Sequence, residues 1–148
     1  MVNPEQALPS VVLRGTVRTY SEEVMKLAEE RMRAIVEGIP AANGGLGELD
    51  FRYGYPATIN SEAESAVAAD VAAGLMGRDN VVGDLLPSMG GEDFAFMLNE
   101  VPGAYLWLGA AREGENPGLH SAKFDFNDAV LPAGAEFWVR LARRATQG

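Results

Sequence analysis

Cysteine is absent from the 148 residues and histidine occurs once, as His120. The first absence excludes a disulfide, a thiolate metal site and a cysteine nucleophile, and the second makes every imidazole argument an argument about one residue. Basic clusters are scarce as well. Lys and Arg number 12 against 21 Asp and Glu, a net charge of −9, and no basic run exceeds the Arg143-Arg144 pair. Such a chain repels phosphate backbones and acidic lipid surfaces, so neither nucleic acid nor a membrane is an expected partner. Long apolar runs are missing too: the stretch from Ala104 to Ala111 falls far short of the roughly 20 residues of a membrane-crossing helix. The N-terminus lacks the basic-then-apolar order of a secretion signal. A soluble, cytoplasmic chain is expected.

With 47% hydrophobic residues the chain has the composition of an ordinary globular protein. Pro4 and Pro9 disfavour a helix at the start. Val11 to Tyr20 is rich in β-branched residues and alternates towards its end, which predicts a half-buried strand. Ser21 then reads as an N-cap, with Glu22 and Glu23 in the first turn and Val24, Leu27, Ala28, Met32 (or the stem of Arg31) and Ile35 on one face, until Gly38 and Pro40 end the helix. Glu48 to Tyr55 alternates again, a second strand. Ser61-Glu-Ala-Glu64 has the form of a capping box ahead of Val67, Val71 and Leu75, with a stop at Gly77. A short Val81-Val82 strand, a helix after Gly90-Gly91, a buried strand at Tyr105 to Leu108 and a final helix entered near Pro132 complete the order. The sum is β-α-β followed by α-β-α-β-α. It predicts an α/β or mixed α+β fold with a boundary near residues 56–60, giving segments 1–58 and 59–148.

Two places could carry chemistry. His120 follows the glycine-rich stretch Gly109 to Gly118 and could be aimed into a cleft as a metal ligand, but a catalytic zinc takes about three protein ligands. Only carboxylates can join it here. Glu92, Asp93, Asp125 and Asp128 are the acids of the same half, and none stands at a two-ligand helical spacing from His120. Gly90-Gly91-Glu92-Asp93 could expose backbone N–H groups to an oxyanion, or could simply be a tight turn with acids ahead of a helix. No phosphate-binding Gly-x-x-x-x-Gly-Lys loop and no Gly-x-Ser-x-Gly elbow is present, and Ser61, Ser88 and Ser121 have no base other than His120. A hydrolytic triad is not expected.

Five blocks nonetheless stand in a telling order: Leu13-Arg-Gly-Thr-Val-Arg-Thr19, Gly54-Tyr-Pro-Ala-Thr-Ile-Asn60, Ser88-Met-Gly-Gly-Glu-Asp-Phe94, Pro102-Gly-Ala-Tyr-Leu-Trp-Leu-Gly109 and Leu119-His-Ser-Ala-Lys-Phe-Asp-Phe-Asn-Asp128. Together they resemble the M20 metallopeptidase family, in its branch of hippurate and auxin-conjugate hydrolases. The resemblance implies the C-terminal portion of such an enzyme: the last part of a ferredoxin-like lid and dimerisation domain over 1–58, then the return of the chain into a zinc-peptidase-like α/β catalytic domain over 59–148. It implies a site with two divalent ions, zinc or manganese, whose last ligand matches His120. Gly90, Gly91, Glu92 and Asp93 match a block that lines the pocket. The remaining ligands and the general base belong to the family's upstream part, so no catalytic residue is expected in this chain. Two departures stand out: Ala122 replaces the usual Pro after His-Ser, and only Gln6-Ala-Leu-Pro9 corresponds to the lid's Asn-Val-Ile-Pro stretch.

The expected activity is accordingly that of a metal-dependent amidohydrolase acting on N-acyl amino acids or related amides, with this segment inactive alone. The competing expectation is a non-catalytic association or dimerisation module, or a relic of such an enzyme, whose cut domains drive homo-oligomer formation through exposed apolar surface and open strand edges.

Overall fold

The computed structural model describes residues 10–147, and the regular structure among them is entirely helical. The expected Gln6 to Pro9 correspondence and the reading of Pro4 and Pro9 lie outside the described residues. The chain divides into two units, one up to Gly54 and one from Tyr55.

In the first unit Ser21 opens α1 (Glu22–Ala42) with extended backbone, and its Oγ accepts from the Val24 N–H at 3.2 Å. This occupies one of the orphan donors of the first turn, and Glu22 and Glu23 lie where the helix dipole favours acids. The helix runs past its expected stop. Gly38 and Pro40 both lie inside it, because a proline lacks only its own N–H and leaves a single carbonyl, that of Val36, without its helical donor. The end comes at Asn43 to Gly45, where the Asn43 and Gly45 N–H groups donate to the Pro40 carbonyl at 2.9 Å each and Gly44 turns the chain at φ +75°. Gly47 then passes directly over the Val36 carbonyl, an approach that leaves no room for a Cβ.

The face that α1 half-buries matches the expected one at Ala28 and Met32 only. Met25, Ala28, Met32 and Val36 are the more sheltered positions, with the stem of Arg33 beside them, whereas Val24, Leu27 and Ile35 stay about half exposed. Two long-range contacts tie the following segment to this face. The Tyr53 hydroxyl donates to Glu29 Oε2 at 2.7 Å, and Arg33 bridges Glu29 and the Leu49 carbonyl.

In the second unit α2 (Glu62–Met76) ends at Gly77, whose φ of +88° suits the residue without a Cβ. A 3-10 turn at Arg78–Asn80 follows. The short α3 (Phe94–Glu100) comes next, and a 3-10 turn at Asp128–Val130, capped by the Asn127 side chain, feeds α4 (Leu131–Thr146). Pro132 sits in the first turn of α4, where a missing N–H costs nothing, and Arg143 and Arg144 sit in its last, where the dipole favours cations. α2 and α4 pack on each other, and Arg140 of α4 reaches the Gly74 carbonyl of α2 at 3.3 Å. Ala68, Ala95 and Phe137 form the buried core among the described residues.

The α/β expectation, including the ferredoxin-like lid half and the α/β catalytic part, is therefore corrected. None of the segments expected as strands, near 11–20, 48–55, 81–82 and 105–108, forms one among the described residues. The side-chain pattern is still there: from Gly47 to Arg52 half-buried and exposed positions alternate strictly. Alternation selects a face, but a strand exists only when a neighbouring backbone completes the ladder. Here side chains take over part of that duty, as at Tyr105. No helix among the described residues is long and apolar enough to cross a membrane.

Candidate functional site

Three of the sequence blocks meet in the second unit through hydrogen bonds. Asn60 closes the first, and its side chain satisfies both backbone groups of Tyr105: Oδ1 accepts from the Tyr105 N–H at 2.8 Å and Nδ2 donates to its carbonyl at 2.9 Å. Ser61 does the same for Gly103, donating its N–H to the carbonyl at 2.8 Å and accepting from the Gly103 N–H on Oγ at 3.0 Å. The capping box expected at Ser61 to Glu64 is thus not made, since the Ser61 hydroxyl serves residue 103 and gives α2 no side-chain cap.

Tyr105 carries the connection onward. Its hydroxyl donates to Glu92 Oε2 at 2.9 Å, and the other carboxylate oxygen accepts from the Phe94 N–H at 3.4 Å. The Tyr105 hydroxyl, the Phe94 amide and neighbouring Asp93 hold the Glu92 carboxyl below its ordinary range, while the hydrogen bond to Glu92 pushes the Tyr105 phenol above its own. Aromatic rings wall this point. Tyr105 lies 5.9 Å from both Phe94 and Trp107, and Tyr55 stands edge-on to Phe96 at 6.0 Å. Gly91 lies against Tyr55, where a Cβ would come within 3.3 Å of the ring.

Amides in and next to the Gly90 to Asp93 block are partly used by neighbouring side chains. Gly90 donates to Ser88 Oγ at 3.2 Å and Phe94 to Glu92. With α3 only seven residues long, the block is a turn with a fixed carboxylate and no anion-binding helix start.

His120 is exposed on a separate turn. It is the only non-glycine residue with positive φ among the described residues, at +66°, between a Ser121 N–H to Gly118 carbonyl bond of 3.2 Å and a Phe124 N–H to Ser121 carbonyl bond of 3.0 Å. The left-handed conformation costs about 1 kcal/mol or more for a residue with a Cβ. The stretch before it is pinned at its flanks: Arg112 pairs with Asp125 at 2.7 Å, and Asn116 bonds the Arg112 backbone on both its N–H and its carbonyl. Asp125 is thereby engaged by Arg112. Among the described residues no group of three or more His, Asp or Glu side chains could hold a metal ion, so no two of Glu92, Asp93, Asp125 and Asp128 join His120 in one.

Two apolar grooves lie in this unit, of about 530 Å³ beside α3 and about 570 Å³ between α2 and α4, the latter walled by Val67, Phe94, Leu106, Trp138 and Leu141. Neither is lined by His120 or by Gly90, Gly91, Glu92 or Asp93. Asn60 and Tyr105 are the residues that motif reading passed over. Both lay inside recognised blocks, but a pairing across 45 residues leaves no local spacing to read.

Residues 9–144 match the model of peptidase family M20/M25/M40. The chain is 36% identical over 127 residues to the putative amidohydrolase YhaA of Bacillus subtilis, covering 84% of this chain and 32% of that protein. It is 38% identical over 128 residues to the N-acetyldiaminopimelate deacetylase of Bacillus cytotoxicus, with 84% and 32% covered. To the IAA-amino acid hydrolase ILR1-like 4 of Arabidopsis thaliana it is 28% identical over 141 residues, with 91% and 32% covered. The chain thus spans about a third of the length of the curated relatives it matches. No solved structure matches it.

Proposed function

The chain belongs to peptidase family M20/M25/M40, and from that premise we propose that it is a segment of a metal-dependent amidohydrolase acting on N-acyl amino acids or related amides. Relatives named as a deacetylase of N-acetyldiaminopimelate and of N-acetylcysteine support that substrate class. In this reading His120 contributes one ligand to a divalent metal, zinc or manganese, and Gly90, Gly91, Glu92 and Asp93 line the substrate pocket. The observation that carries it is the backbone of His120: the single imidazole of the chain is held exposed on a turn in a strained left-handed conformation. Strain of that kind collects where a side chain has to be aimed.

The described residues do not fit a metal ion by themselves, since one histidine without clustered partners falls short of the roughly three protein ligands of a catalytic site. In this reading the segment alone carries no metal-assisted step, and no residue of it is assigned as catalytic. The test uses the fact that only one imidazole exists. On adding manganese, the His120 ring signals in the proton spectrum should broaden at lower metal concentration than those of any aromatic ring, and an assay of the same sample on N-acetyl amino acids should show no hydrolysis. Equal broadening at every ring would remove the ligand role, and hydrolysis would remove the claim of an incomplete site.

A second reading has its own observation. Leu27, Ile35 and Ile39 of α1 are 50%, 56% and 62% exposed, and Phe96, Trp107 and Trp138 of the second unit are exposed as well. Apolar surface on this scale favours association, so the segment also reads as a module that joins further copies into a homo-oligomer.

A further inference from the structure

We infer that Tyr105, held in place by Asn60, is the positioning residue of the Glu92 carboxylate. The inference rests on the reading that the Gly90 to Asp93 block lines a pocket only for its functional consequence; the clamp itself stands on geometry.

Consider what Glu92 would do alone. It sits in a turn after two glycines and before a seven-residue helix, partly exposed, with one neighbouring amide and the Asp93 carboxyl for company. A glutamate in that setting samples several rotamers, and its entropy opposes any single one. The Tyr105 hydroxyl removes that freedom by a charge-assisted bond of 2.9 Å from a side chain that is itself fixed. Two χ angles make a tyrosine stiff, and its ring is further confined by Phe94 and Trp107 at 5.9 Å each. The backbone beneath it is held at both ends of its peptide groups by Asn60, and two residues earlier by Ser61. Segment 103–105 has no β-ladder, so these bonds, three of them to side chains, are what hold it at the head of α2.

The path Asn60, Tyr105, Glu92 therefore runs from the residue just before the N-cap of α2 through an aromatic strut to one carboxylate. It joins three sequence blocks separated by 45 and 13 residues. The groups facing Glu92 are the Tyr105 phenol, the Phe94 N–H and the Asp93 carboxyl. Only the phenol comes from outside the block. Removing it takes away the largest of the groups that stabilise the charged carboxylate, so Glu92 should bind its proton more readily.

The experiment is a carbon-13 titration of the full chain labelled at glutamate carboxyls, with the Glu92 signal assigned as the one missing in Glu92→Gln. Tyr105→Phe should move the Glu92 midpoint upward towards the ordinary glutamate value, and Asn60→Ala should move it in the same direction, with unchanged far-ultraviolet dichroism showing that the helices persist. An unmoved Glu92 midpoint in a folded Tyr105→Phe chain overturns the inference. Should that variant lose its helices, phenol absorbance decides: one raised tyrosine component moving down in Glu92→Gln supports the clamp, and identical tyrosine titrations overturn it. If the midpoint moves while Glu92→Gln leaves weak binding of N-acetyl amino acids unaltered, the clamp stands and the pocket-lining reading falls.

Discussion

Tyr53 and Glu29 share a hydrogen bond of 2.7 Å across 24 residues, and through it the segment after Gly47 is fastened to α1. The bond lowers the Glu29 carboxyl from its ordinary range, with Arg33 adding to the effect, and raises the Tyr53 phenol. A carboxyl lowered on folding contributes stability above its unfolded value and loses it as pH falls through the folded one. A phenol raised on folding contributes below its unfolded value and loses it as pH rises through the folded one. The melting temperature should therefore drop at both extremes, and Tyr53→Phe should flatten both limbs in thermal scans across pH. Unaltered limbs would show that the bond adds nothing in solution.

Two glycines near the end of α1 should respond to alanine with opposite signs. Gly38 lies in the helix with open space where a Cβ would go, so Gly38→Ala should stabilise by about 0.5–1 kcal/mol. Gly47 lies on the Val36 carbonyl that Pro40 leaves without its helical donor, and Gly47→Ala should cost on the order of 1–3 kcal/mol. Urea midpoints read at constant slope provide the comparison.

His120→Gly separates conformation from chemistry. Glycine adopts φ +66° without a Cβ penalty, so the variant should be as stable as the parent or up to about 1 kcal/mol more. It should also lose manganese-induced changes at the turn, seen in the Ser121 and Phe124 amide signals. A clear loss of stability would mean that the His120 ring is a packing residue.

Ser21→Ala and Ser61→Ala should differ although both residues precede helices. Ser21 caps α1 through Val24, and its loss should cost about 1 kcal/mol with fraying of the first turn. Ser61 bonds Gly103 instead, so its alanine variant should raise hydrogen exchange at Gly103 and Tyr105 and leave the first turn of α2 unchanged.

Association is predicted from the apolar stripe Leu27, Ile35 and Ile39. Sedimentation at rising concentration should show oligomers, and Leu27→Lys with Ile35→Lys should reduce them without loss of helix content, since both positions are more than half or about half exposed. A clean monomer at every concentration would sink the oligomer reading.

Much of the helical layout was legible beforehand, because its signals are local. Ser21 with two acids after it, Gly77 with its positive φ and Pro132 in a first turn act through their own backbone within one turn of chain. The strand expectations failed for the opposite reason. Residues 47–52 alternate as a strand would, but the ladder they need is a property of a neighbour, and no periodicity carries it. Ser61 shows the same limit at one residue: its position matches a cap, yet a partner 42 residues away takes its hydroxyl.

The candidate site divides along the same line. Residue types alone determined which chemistries were open, since a chain without cysteine and with one histidine can offer one imidazole and otherwise only carboxylates. The order of five blocks carried the family as well. Tertiary structure decided how those groups stand: that His120 is set in a left-handed turn without clustered acids among the described residues, and that Glu92 is held by Tyr105, itself held by Asn60. Chemistry of a side chain travels with its identity, whereas orientation and company depend on contacts between segments far apart in the chain, and these exist only once it is folded.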